Sequence, residues 1–139
     1  AIAASFAAAG AAAISLYDAH AASAEALAAR LAQHYPKLVV RTGSNDPAGH
    51  EIVVNATPLG MKEADPLPFD IEHVDPAALV GEVVMKAEHT PLLRAALARG
   101  HEVQVGTDML FEMVPAYLEF FGFGSASADE LRAVAQIRY

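Results

Sequence analysis

The chain has no cysteine among its 139 residues, which excludes disulfides, thiolate nucleophiles and cysteine-based metal sites. It is also poor in basic residues. Nine Lys and Arg stand against 17 Asp and Glu, giving a net charge of -8 with His neutral. Binding along a nucleic-acid backbone needs positive charge, so no nucleic-acid partner is expected. No apolar run reaches the roughly 20 residues that span a bilayer, and no basic start marks a secretory signal. The expectation is a cytoplasmic protein with no membrane partner. The six His residues, at 20, 34, 50, 73, 89 and 101, form no His-Glu-x-x-His pattern and no adjacent pair, so no metal is expected. Ser5, Ser15 and Ser44 sit in no Gly-x-Ser-x-Gly elbow, which leaves hydrolase chemistry unsupported.

What is present is 54% hydrophobic and rich in Ala. Ala and Leu favour helix, while the Val and Ile pairs favour strand. The length suits one domain with a sizeable core, burying about two-thirds of its unfolded surface. Residues 1 to 9 read as a helix already under way, ended by Gly10, so the chain reads as a piece of a longer protein. Ala13 to Tyr17 reads as a buried strand. Residues 21 to 34 are helical, with Leu27 and Leu31 on one face and Pro36 as the stop. Leu38 to Val40 and Ile52 to Val54 are further strands.

Residues 62 to 76 are irregular, with Pro66, Pro68 and Pro76 blocking long helices. Leu79-Val80 leads into a strand near Glu82 to Met85. Thr90 looks like a helix N-cap with Pro91 in the first helical position, and that helix runs to Arg99. Glu102 to Val105 is the last strand. Thr107 or Asp108 is expected to cap a long helix through Phe121, and a final helix covers Ala128 to Ile137. Tyr117, Phe120 and Phe121 lie at helical spacing, so the aromatic end reads as packing. Strands alternating with crossover helices predict an α/β fold with a parallel sheet covered on both faces. The expected division is 1-122 for the sheet domain and 123-139 for a C-terminal helical segment packing back on the fold or on an absent domain.

Three runs carry the functional reading: Val53 to Met61 (Val-Val-Asn-Ala-Thr-Pro-Leu-Gly-Met), Thr90-Pro91-Leu92-Leu93, and Gly106-Thr107-Asp108-Met109-Leu110. In this order and spacing they resemble the nucleotide-binding half of the shikimate dehydrogenase family. The resemblance runs from the first residue to about Gly122. It implies a Rossmann-like doubly wound parallel sheet with C-terminal helices, a nicotinamide cofactor and a shikimate-like cyclic acid substrate. It also implies that the first strand, the glycine-rich loop and an N-terminal substrate domain lie before Ala1. No Gly-x-Gly-x-x-Gly occurs in the chain.

The resemblance assigns cofactor contacts to Asn55, Ala56, Thr57 and Pro58, with Gly60 shaping the loop. An ordinary strand-to-loop turn, with Asn and Thr satisfying local backbone, is the other reading. Gly106 matches a family glycine near the nicotinamide, with Met109 and Leu110 packing against the ring; a core role for Met109 stands equally open. Asp18 follows a strand end, where a carboxylate accepts hydrogen bonds from ribose hydroxyls and repels a 2′-phosphate. Family members that use NADP show Asn-Arg-Thr or Asn-Arg-Ser here, whereas this chain has Asp18-Ala19-His20. NAD is therefore expected over NADP, unless Asp18 merely caps the helix.

The pattern breaks on the substrate side. Met85 stands where the family has a pocket tyrosine, and Met113 where it has a glutamine that contacts substrate. Asp108 replaces a glycine. A thioether cannot make the hydrogen bonds these groups make, so selectivity for a given hydroxyl falls. Lys86 either offers a charge to an acid group or is an ordinary surface lysine. The Lys and Asp pair that manages the proton in the family has no match here, so no catalytic residue is assigned. The expected activity is hydride transfer in the longer protein, with residues 1 to 139 alone inactive. The alternative is a non-catalytic module of the same fold that binds a nucleotide or small acid.

Overall fold

The computed structural model describes residues 1–137 and divides into two compact units, Ala1–Asp46 and Pro47–Tyr139. The first contains α1 (Ile2–Ala8), β1 (Ala13–Leu16), α2 (Ala21–His34) and β2 (Val39–Thr42). The two strands pair in parallel, Ala13 beside Val39 through Leu16 beside Thr42. α2 makes this crossover, burying Ala24 and Leu31 one above the other at i and i+7. It stops at His34 because Pro36 forces the preceding residue out of the helical region; Tyr35 has φ -129°.

The second unit holds β3 (Ile52–Asn55), β4 (Leu79–Glu82), α3 (Pro91–Ala98), β5 (Val103–Gln104), α4 (Gly106–Phe120) and α5 (Ala128–Val134). Its strands are parallel in the order β3-β4-β5. Ile52 lies beside Leu79, Asn55 beside Glu82, and Val80 beside Val103. The core is Phe69, Ile71, Val74, Ala78, Val80, Leu92, Leu93 and Ala96. Leu92, Leu93 and Ala96 come from α3, whose apolar face covers the sheet. α3 begins as expected: Thr90 Oγ1 accepts from the Leu93 N–H at 3.4 Å, and Pro91 needs no donor in the first turn.

Several boundaries differ from the sequence reading. β4 is Leu79–Glu82, not Glu82 to Met85. Parallel register against the four residues of β3 ends the ladder at the Asn55–Glu82 pair, although the apolar run continues through Val83 and Val84. Neither Thr107 nor Asp108 caps α4. The N-cap is the extended Val105, and both residues lie in the first turn, where Asp108 approaches Arg132 at 3.7 Å. β5 shrinks to two residues because α4 starts so early. α4 carries Pro115 in its interior, one backbone donor fewer than an uninterrupted helix. The segment after Pro58 contains a single 3-10 turn, Ile71–His73, capped by Asp70.

α5 ends at Val134 rather than Ile137. It starts with a reciprocal capping box: Ser127 Oγ accepts from the Glu130 N–H at 3.2 Å, and Glu130 Oε2 accepts from the Ser127 N–H at 2.8 Å. Arg132 ties it to α4, reaching Glu112 at 2.7 Å and lying 5.6 Å over the Phe111 ring. The aromatic end does not pack on the rest of this unit. Tyr117, Phe120, Phe121 and Phe123 are exposed, with the Phe120 and Phe121 rings edge-on at 5.1 Å.

Candidate functional site

The carboxyl ends of β3 and β4 open into a groove of about 360 Å³ lined by Ala56, Thr57, Pro58, Met61, Val83, Val84 and Met85. In parallel α/β sheets this edge is the usual ligand side, because the loops there leave the ladder and expose backbone groups. The wall is almost wholly apolar, with Thr57 its one polar side chain.

The loop that forms one wall is built by Asn55. This side chain is 2% exposed. Its Nδ2 donates to the Leu59 carbonyl at 2.9 Å and to Glu82 Oε2 at 3.3 Å. Its Oδ1 accepts from the Thr57 N–H at 3.0 Å and from Thr57 Oγ1 at 2.7 Å. Two donors and two acceptor positions complete the capacity of an amide. The Thr57 hydroxyl in turn accepts from the Leu59 N–H at 3.1 Å. Asn55 therefore sits under the groove as its builder. Gly60 has φ +100°, a conformation a residue with a Cβ rarely adopts, and Asp65 Oδ2 accepts its N–H at 3.1 Å.

Gly106 lies behind the second wall. A Cβ there would strike the Val84 carbonyl oxygen and stand 2.8 Å from the Val84 carbonyl carbon. The glycine is required by the approach of the α4 start to the Val83-Val84 backbone.

The structure thus brings together Ala56, Thr57, Pro58 and Met85 on one surface. Asn55 and Gly106 lie beneath it. Met109 is half-buried, while Leu110 and Met113 are exposed on α4 and do not line the groove. Lys86 is exposed. Asp18 belongs to the first unit and is exposed; its Oδ1 accepts from the N–H of His20, the α2 N-cap residue, at 2.8 Å. This is a turn contact ahead of the helix, and α2 has no side-chain cap hydrogen bond. His20 Nδ1 shares a hydrogen bond with Ser23 Oγ at 3.0 Å.

Sequence reasoning missed Glu82 as a site residue. It is a carboxylate only 4% exposed, at the end of a strand whose neighbours Leu79, Val80, Val83 and Val84 are apolar. A lone acid in an apolar run is the available signal, since buried acids need a reason. Among the described residues there is no group of three or more His, Asp or Glu suited to a metal, and no helix long and apolar enough to cross a membrane.

No family model matches the chain. Among curated proteins it is 41% identical over 90 residues to the shikimate dehydrogenase (NADP(+)) of Acidiphilium cryptum, covering 63% of this chain and 33% of that protein. It is 35% identical over 138 residues to the enzyme of the same name from Rhodospirillum rubrum, covering 96% of this chain and 49% of that one. The chain thus spans between a third and a half of the length of these relatives. Among solved structures, the quinate dehydrogenase of Corynebacterium glutamicum in complex with NAD superposes with a TM-score of 0.75 at 28% identity, over 89% of this chain and 46% of that one. The Rossmann-like, doubly wound parallel fold with C-terminal helices is the one expected from sequence.

Proposed function

This chain belongs to the shikimate/quinate dehydrogenase family, and we propose that it forms the dinucleotide-binding part of an oxidoreductase acting on a shikimate-like cyclic hydroxy acid. The observation that carries this reading is the groove at the β3 and β4 carboxyl ends, with Ala56, Thr57, Pro58 and Met85 on its surface. Its apolar walls and preset loop fit one face of a flat ring such as nicotinamide. Pro58, Met61, Val84 and Met85 would hold it. When bound, that cofactor supplies or accepts the hydride. The chain's own residues orient the ring and exclude water from one side.

Hydride transfer to or from a ring hydroxyl also moves a proton. No residue of this chain is assigned that step, and the proton-handling groups belong to a substrate domain N-terminal to this part. Residues 1 to 139 alone are accordingly inactive in this reading. Met85 gives the substrate side an apolar contact in place of a hydroxyl donor, which favours a substrate read by fewer polar groups. Asp18 keeps Oδ2 for a ribose hydroxyl after Oδ1 has taken the His20 N–H, which favours NAD. The relatives carry NADP(+) in their names and the quinate dehydrogenase is bound to NAD, so both dinucleotides belong in the test.

That test is a dehydrogenase assay on the full-length protein with shikimate and quinate, each against NAD and NADP. Turnover with NAD supports the role given to Asp18. Turnover with NADP alone keeps the enzyme class and removes that role. A folded protein that turns over no pair, yet binds a dinucleotide, would support the alternative of a non-catalytic module.

A further inference from the structure

Glu82 is the only buried acid among the described residues. Its Oε2 accepts from Asn55 Nδ2 at 3.3 Å, while Oε1 has no hydrogen-bond partner among them. We propose that Glu82 is a positioning residue: it sets the orientation of the Asn55 amide, hence the 55–61 loop, hence the affinity of the groove for a dinucleotide. The last of these links rests on the function proposed above.

The geometry of the amide carries the argument. Turning the Asn55 side chain over would put its NH2 against the two Thr57 donors and its oxygen against the Leu59 carbonyl and the Glu82 carboxylate. The contacts with the Thr57 N–H, the Leu59 carbonyl and the Glu82 carboxylate would become repulsions, and the fourth would survive only if the Thr57 hydroxyl turned from donor to acceptor. The Leu59 carbonyl and the Thr57 donors belong to the loop and move with it. Glu82 belongs to a paired strand and does not. It is the fixed point against which the amide is oriented.

The unpartnered Oε1 strengthens the case. Leaving a buried oxygen unpaired is unfavourable, and two residues earlier the same strand places the fully buried, apolar Val80. Packing alone would be served by an apolar residue at 82, so a directional acceptor is what the carboxylate adds. The loop also sits directly over it: a Cβ on Gly60 would be 3.8 Å from Glu82 Oε2 and 3.5 Å from Thr90 Cβ. Farther along, Asp65 Oδ2 takes the N–H groups of Gly60 and Lys62, and Arg94 pairs with Glu63. The loop is thereby shaped before any ligand arrives, which lowers the ordering cost of binding.

The experiment compares Glu82→Leu and Glu82→Gln with the wild type in the full-length protein. Two quantities are read: amide hydrogen exchange at Thr57 and Leu59, and the Kd of NAD and NADP by titration. The Val80 amide, bonded to the Glu102 carbonyl, reports whether the sheet is intact. Glu82→Leu is expected to speed exchange at both loop amides and weaken the dinucleotide by about tenfold each, while Glu82→Gln, which keeps an acceptor oxygen, stays within about threefold. If Glu82→Leu also loses Val80 protection, Glu82→Met, closer to glutamate in shape, removes the carboxylate with less disturbance of packing and is judged by the same readings. Unchanged loop exchange with the sheet intact overturns the proposal. So does a Gln variant as weak as Leu, or a loosened loop with unaltered affinity. A wild type that binds neither dinucleotide sinks the functional reading and the affinity link with it, while the exchange data still decide whether Glu82 holds the loop.

Discussion

Gly106 and Val84 are packed so closely that a single methyl group cannot be placed between them: its carbon would stand 2.8 Å from the Val84 carbonyl carbon and 2.9 Å from that of Val83. The obstacle is backbone, which cannot rotate away as a flexible side chain can. Gly106→Ala is therefore expected to destabilise the protein by about 3 kcal/mol, the upper range for overpacking, with a visible loss in thermal unfolding. A variant as stable as the wild type would show that the start of α4 is free to shift.

Thr90 is fully buried at the α3 N-cap. Thr90→Ala removes the acceptor for the Leu93 N–H and is expected to cost about 1–2 kcal/mol. Thr90→Ser keeps the oxygen and should recover most of that cap. Chemical denaturation of the three proteins checks the ranking; equal losses for Ala and Ser would assign the effect to the methyl group and its packing against Gly60.

The α5 capping box makes a pH prediction. Hydrogen bonds from the Ser127 backbone, then from its side chain, hold the Glu130 carboxyl below its ordinary range. A depressed folded-state pKa means that the contribution is fully present above the ordinary glutamate range and is lost as pH falls through the folded value. Exchange protection of the α5 amides should accordingly fade in acid while α2, which has no acid in its first turn, keeps its own. Glu130→Gln should flatten the α5 response, and a response unchanged by that substitution would assign the acid sensitivity elsewhere.

Leu110, Met113, Tyr117 and Phe120 are exposed at spacings of three and four along α4. Large exposed apolar patches promote association. The 139-residue chain produced by itself is expected to self-associate, and Tyr117→Lys combined with Phe120→Lys to make it monomeric. Sedimentation velocity distinguishes the two, and a monomeric wild-type chain at high concentration would rule out a sticky stripe.

Much of this fold is legible from local chemistry. The bounds of α2 follow from Pro36 and the spacing of its buried positions, and the start of α3 from the Thr90-Pro91 pair. The errors arise where a distant segment decides. Val83 and Val84 look like strand, yet β3 ends at Asn55, whose carbonyl takes the Val83 N–H as the last bond of the ladder. Thr107 and Asp108 look like caps, yet the helix has already begun at Gly106. The same division holds at the site. The 55–61 run announces a ligand-side loop, but only the fold reveals that Asn55 faces inward and that Glu82, 27 positions away, meets it.

The connection from β3 to β4 contains no α-helix, only the 3-10 turn at Ile71–His73. A helical crossover carries its own ladder of backbone bonds and accepts almost any residue on its outer face. Here some amides bond to backbone carbonyls in isolated turns, such as Met61 to Pro58 and Asp65 to Lys62, while others run to the side chains of Asn55, Thr57, Asp65 and Asp70. Each of these side chains is a single, irreplaceable acceptor, so residues 56–78 should tolerate substitution at fewer solvent-facing positions than a helix of equal span, despite their irregular and partly exposed course.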